Sequence, residues 1–156
     1  MKHFKSLIDL DKIAASEIDL KNSLYSAQNT NDICFQFNLI FKTYASNVDD
    51  IEAFKRGIFY IWYSRLEPNF LTGINVLDKT SLDLIINKAV EHLDKITYDF
   101  ELDWMLSYYS NWDFLFEDYP EFHTLLIEKQ FVERPVIDNN LMVNRDLMRS
   151  YFNELH

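Results

Sequence analysis

Two histidines in this chain stand close to carboxylates: His92 follows Glu91, and His123 comes two residues after Glu121. Acid–base or metal chemistry would use such pairs, and spacing decides whether they serve. A di-iron helical bundle requires Glu-x-x-His, which sets carboxylate and imidazole on one helix face. The residues three before His92 and His123 are Ala89 and Pro120, so that arrangement fails. Adjacent helical residues diverge by about 100°, so Glu91 and His92 do not form a dyad on their own. HExxH is absent, and the single cysteine, Cys34, excludes a Cys-based zinc site. Cys34 lies at helical spacing from Phe37 and Phe41, which suits a buried structural thiol. There is no glycine-rich phosphate loop and no GxSxG elbow. No catalytic residue, metal ligand or cofactor is assigned, and the chain is expected not to be an enzyme.

The chemistry that remains is that of recognition. Residues 96–128 hold eight Asp and Glu and no Lys or Arg, so they carry eight of the ten surplus negative charges of the chain. The same window holds ten aromatic residues, from Tyr98 to Phe122. If a helix over 99–109 buries Leu102, Met105, Leu106 and Tyr109, the helical step points Trp104 and Tyr108 almost oppositely, beside Glu101. Asp113, Glu117, Asp118 and Glu121 follow. Large rings beside carboxylates suit a basic protein partner, the rings anchoring and the charges guiding approach. The expected binding face is therefore Glu101, Trp104, Tyr108, Asp113, Glu117, Asp118 and Glu121. The four downstream acids lack the loop spacing and glycine of a Ca²⁺ site, so they read as a solvated acidic face. One concrete function is an immunity-type inhibitor that blocks a basic toxin such as a nuclease by presenting phosphate-like charge. The alternative is a small-molecule-binding or catalytic domain with an aromatic pocket between the third and fifth helices and Tyr60, Tyr63, Arg65 and Glu67 at its mouth.

Elements must position these residues, and composition fixes their kind. Two glycines and three prolines in 156 residues are too few for the turns of a sandwich or barrel. The 48% apolar content argues against disorder. One domain, 1–156, is expected, all-α, as an irregular bundle or a short α-solenoid-like stack of about six to seven helices. No apolar run nears the roughly 20 residues of a membrane span, and the polar opening is unlike a secretory signal, so a cytoplasmic location is expected. The net charge of −10 disfavours nucleic acid and anionic membranes as partners.

Helical periodicity sets the order. A first helix over about 4–27 carries Leu10, Ile13, Leu20 and Leu24, with a break near Ser16. A second, capped by Thr30 or Asn31, places Ile33, Phe37, Ile40, Phe41 and Tyr44 on one face; Phe35 and Leu39 on the other imply cover on both sides. The third starts after Asn47, turns Ile51, Phe54, Ile58, Ile61 and Trp62 inward and runs through the middle of the domain. Ala53 and Gly57 form its strip for close helix approach. Pro68 stops it near Leu66 and Gly73 permits a turn of positive φ. That makes the segment WYSRLEPNFLTGI a corner. A fourth helix, capped by Thr80 or Ser81, buries Leu82, Ile85, Ile86, Ala89 and Leu93. After the fifth, Pro120 opens a sixth with Phe122, Leu125 and Leu126 inward, closed by Arg134-Pro135. The last runs from Asn139 or Asn140 to about Leu155, inward through Leu141, Met148, Tyr151 and Leu155.

Overall fold

The computed structural model describes residues 9–95, 99–129 and 146–154, and these contain helices and no strand. In order they are α1 (Leu10–Leu24), α2 (Asn31–Ser46), α3 (Ile51–Leu66), the single turn α4 (Asn69–Thr72), α5 (Lys79–Asp94), α6 (Phe100–Tyr109), a 3-10 turn (Asp113–Phe116), α7 (Pro120–Glu128) and α8 (Asp146–Glu154). The expected starts at residue 4 and at Asn139 or Asn140, the Arg134-Pro135 stop, Leu141 and Leu155 lie outside the described residues.

The centre is α3. Every residue from Ala53 to Tyr63 is buried, because α2 and α5 pack along it while α4 and the 3-10 turn cover its C-terminal half. Gly57 allows the closest approach: a Cβ there would lie 2.5 Å from Ile85 Cδ1 of α5. The outer helices then close the assembly. α7 packs on α5, and α8 packs on α1, so the first and last described helices touch and the fold is a closed bundle.

Local chemistry explains the boundaries. Asp50 caps α3 by accepting from the Glu52 and Ala53 N–H groups at 2.9 and 3.0 Å. α3 ends at Leu66, before Glu67-Pro68, and Gly73 closes α4 at φ +72°. Its bare Cα also admits α2, since a Cβ would sit 2.8 Å from the Phe37 ring. The corner therefore forms where the sequence places it.

Five details differ from expectation. α1 runs unbroken through Ser16, whose hydroxyl donates to the Lys12 carbonyl at 3.0 Å and so stays compatible with the helix. The cap of α5 is Asp78, which accepts from the N–H and the hydroxyl of Ser81 at 3.0 and 2.8 Å. Phe35 and Leu39 are exposed, because α1, α3 and α5 all contact α2 from its other side. Ile51 is exposed too, although Ala53 and Phe54 of the same turn are buried, and Cys34 is half-buried.

Candidate protein-interaction surface

α6 starts at Asp99, whose carboxylate accepts the Leu102 N–H at 2.9 Å. Leu102, Met105, Leu106 and Tyr109 are then buried, as their spacing requires. The opposite side is where Trp104 and Tyr108 fall, and both are half-buried. Their rings stack on each other at 5.3 Å, nearly parallel. Phe152 of α8 meets Trp104 edge-on at 5.2 Å, and Trp112 meets Tyr108 at 4.8 Å. A helix that is apolar on two sides is covered on two sides, and α8 supplies the second cover. Behind them Trp62 of α3 stacks on Tyr109 at 5.2 Å and touches Tyr151 at 4.7 Å. The junction of α3 and α6 is thus filled with rings rather than open.

Glu101 belongs to a different group. Its side chain is 12% exposed and lies 3.2 Å from Lys55, an ammonium buried in α3 that also reaches Asp99 at 3.0 Å. Burial pushes the Asp99 carboxyl up, but the Leu102 N–H and the Lys55 charge outweigh it and hold the group below its ordinary value. His92 sits beside this cluster, 3.1 Å from Asp103. The Lys55 ion pairs from α3 and the His92 contact from α5 therefore clamp the start of α6. Glu101 acts in that clamp.

The remaining four predicted residues all lie outside, on the 3-10 turn, the residues that follow it and the first turn of α7. The 3-10 turn buries Leu115 and Phe116, with Phe116 edge-on to Phe122 at 4.8 Å, and this forces the intervening positions outward. Asp113 is 93% and Phe114 49% exposed. Glu117, Asp118 and Glu121 are exposed as well, the last in the first turn of α7 where the helix dipole favours an acid. Arg65 fixes the turn from below, donating to the Leu115 carbonyl and to Asp118, each at 2.8 Å. Among the described residues Asp113, Glu117 and Glu121 have no Lys or Arg partner, and Asp113 is 3.8 Å from His123. Glu101 is remote from this corner: its partner Lys55 precedes Arg65 by ten residues of α3, about 15 Å at the helical rise. The seven predicted residues thus fall into three settings, an ion-pair clamp, a ring stack under α8 and an exposed acidic corner.

Sequence reading passed over the most buried charge among the described residues. Glu17 of α1 is sequestered and accepts hydrogen bonds from the Tyr44 hydroxyl at 2.5 Å and the Tyr60 hydroxyl at 2.7 Å. Arg56, also buried, donates to the Leu10 carbonyl at 3.1 Å and to Glu52 at 3.3 Å, and its charge acts on Tyr44 and Tyr60. Burial first, and then the Glu17 carboxylate, push both phenols far above the usual tyrosine range. The signal was available, because Glu17 occupies the apolar stripe of Leu10, Ile13, Leu20 and Leu24. A charge on a buried stripe implies a buried partner. Next along α1, Lys21 donates to the Tyr63 hydroxyl at 2.8 Å and to the Leu71 carbonyl at 2.6 Å. Tyr60 and Tyr63, expected at a pocket mouth, are thus covered by α1. A cleft of about 420 Å³ opens instead beside Arg65, toward Lys79 and Asp118.

The chain matches no protein-family model, no curated protein and no solved structure. Among the described residues no helix is long and apolar enough to cross a membrane.

Proposed function

We propose that the chain is a non-enzymatic binding domain that receives a basic protein on its acidic corner. The supporting observation is the exposure of Asp113, Glu117, Asp118 and Glu121 around the projecting Phe114 ring, on a turn whose buried residues and Arg65 prop hold it rigid. Asp113, Glu117 and Glu121, which have no Lys or Arg partner among the described residues, attract a basic surface from a distance, and an exposed ring on the same turn supplies desolvated contact area. A preformed turn loses little entropy on association. The concrete case is an immunity-type inhibitor, acting in the cytoplasm, that occludes a basic toxin such as a nuclease by standing in for its phosphate ligand. Trp104 and Tyr108 contribute by shaping the surface behind the corner, and Glu101 by clamping α6.

Co-expression tests this directly. A basic nuclease toxin encoded beside this chain should be harmless in cells producing the wild type and lethal in cells producing Asp113→Lys/Glu117→Lys/Glu121→Lys at equal level. Equal protection by both would remove the corner from the interface. Genomic neighbours without a basic toxin, together with no capture of any basic protein at low salt, would end the immunity reading.

A further inference from the structure

The cleft beside Arg65 has a composition unlike the rest of this acidic molecule. It occupies about 420 Å³ between the end of α3, α4 and the start of α5. That is within the range of roughly 300–1,000 Å³ typical of small-ligand sites. Ile74, Leu77 and Leu82, all buried, supply its apolar lining. Arg65, Lys79 and Asp118 line it with charges of both signs.

Each charge is held by other groups. Arg65 donates to the Leu115 carbonyl and to one Asp118 oxygen, which engages two of the five N–H donors of a guanidinium. The ammonium of Lys79 donates to Asp83 at 2.6 Å and to the Tyr119 hydroxyl at 2.8 Å, and lies 4.5 Å from the Tyr119 ring centre. That leaves one of its three N–H bonds. Asp118 keeps its second oxygen. The side-chain amides of Asn69 and Asn75, also in the lining, make no hydrogen bond among the described residues. Two oriented cations, one carboxylate oxygen and two open amides thus surround an apolar floor.

The geometry points to a site for a small zwitterion with an apolar side chain, a free α-amino acid being the simplest. Its carboxylate takes the remaining donors of Arg65 and Lys79, its ammonium the free oxygen of Asp118, and its side chain rests on Ile74, Leu77 and Leu82. A simple anion would meet Asp118 and a simple cation would meet Arg65 and Lys79. Only a ligand with both charges leaves neither sign opposed. Preorganised partners reduce what the ligand must order on binding. This inference stands apart from the protein-binding reading, with which it shares Asp118 and the Arg65 that holds it.

Isothermal titration of the full chain tests it with three probes: L-leucine, isocaproate, which lacks the ammonium, and isoamylamine, which lacks the carboxylate. Leucine should bind at least roughly tenfold more tightly than either. Asp118→Asn should abolish the advantage over isocaproate, and Lys79→Met the advantage over isoamylamine. Both side chains are largely exposed, so circular dichroism should show both variants folded. No saturable leucine binding, leucine no tighter than its fragments, or a preference that survives both substitutions would overturn the proposal.

Discussion

At Glu17 a single carboxylate joins three helices, since Tyr44 belongs to α2 and Tyr60 to α3. Removing one member of a buried charged network leaves the others desolvated and unpartnered, which costs about 3 kcal/mol. Glu17→Ala should therefore lower unfolding free energy by about that amount in urea titration, while Glu17→Gln, which retains acceptors, should cost less. The same network fixes an alkaline limit. Tyr44 and Tyr60 titrate above the ordinary value of 10.0 when folded, so the folded chain holds their protons longer than the unfolded chain does. Their contribution to stability is complete below pH 10 and is lost as pH rises beyond it. Tyrosinate absorbance should show these phenols ionising only together with loss of helical circular dichroism. Ionisation of all nine tyrosines in a still-folded chain would contradict the burial of this network.

Among the elements, the corner between α3 and α5 gives the sharpest test. Gly73 combines φ +72° with a ring 2.8 Å from any added Cβ, whereas Gly57 sits in a helix where the added Cβ meets the end of the Ile85 side chain. Gly73→Ala should destabilise by about 2 kcal/mol. Gly57→Ala gains about 1 kcal/mol of helix propensity against the displacement of Ile85, so it should lower the melting temperature less. This corner was legible because Pro68 and Gly73 act locally and admit few conformations. The stripe of Leu82, Ile85, Ile86, Ala89 and Leu93 was legible for a similar reason, a clean period in one segment. The cap of α5 was not, as Asp78, Thr80 and Ser81 crowd three chemically suitable caps into four positions. Nor was the cover over Trp104. Periodicity says that a ring leaves its own helix on a given side, but Phe152 arrives from a helix almost fifty positions later in the chain, and no local pattern encodes that meeting. The same limit hid the pairing of Glu101 with Lys55. Charge counts along the sequence treat every acid alike, while folding neutralises some and leaves others open.

Across the whole molecule that sorting is what gives the acidic corner its meaning. The cations of α3 and α5 are engaged locally: Lys55 with Asp99 and Glu101, Arg56 with Glu52, Arg65 with Asp118, Lys79 with Asp83, and Lys88 with Asp49 and Glu91. The 96–128 segment brings acids without any Lys or Arg, and those beyond the reach of α3 and α5 stay uncompensated. Asp113, Glu117 and Glu121 are such residues, exposed on and just after a 3-10 turn that buries Leu115 and Phe116 and leaves Phe114 in solvent. In the proposed binding reading these exposed acids put part of the net charge of −10 where a basic partner would meet it. The measurement that bears most directly on this account is the affinity for the basic partner at low and high salt, compared between the wild type, Asp113→Lys/Glu117→Lys/Glu121→Lys and Phe114→Ala. Wild-type binding should weaken as salt rises. Charge reversal should abolish binding at low salt, and loss of the ring should cost about 2 kcal/mol with the salt dependence retained. Affinity that ignores salt and survives charge reversal would contradict the account.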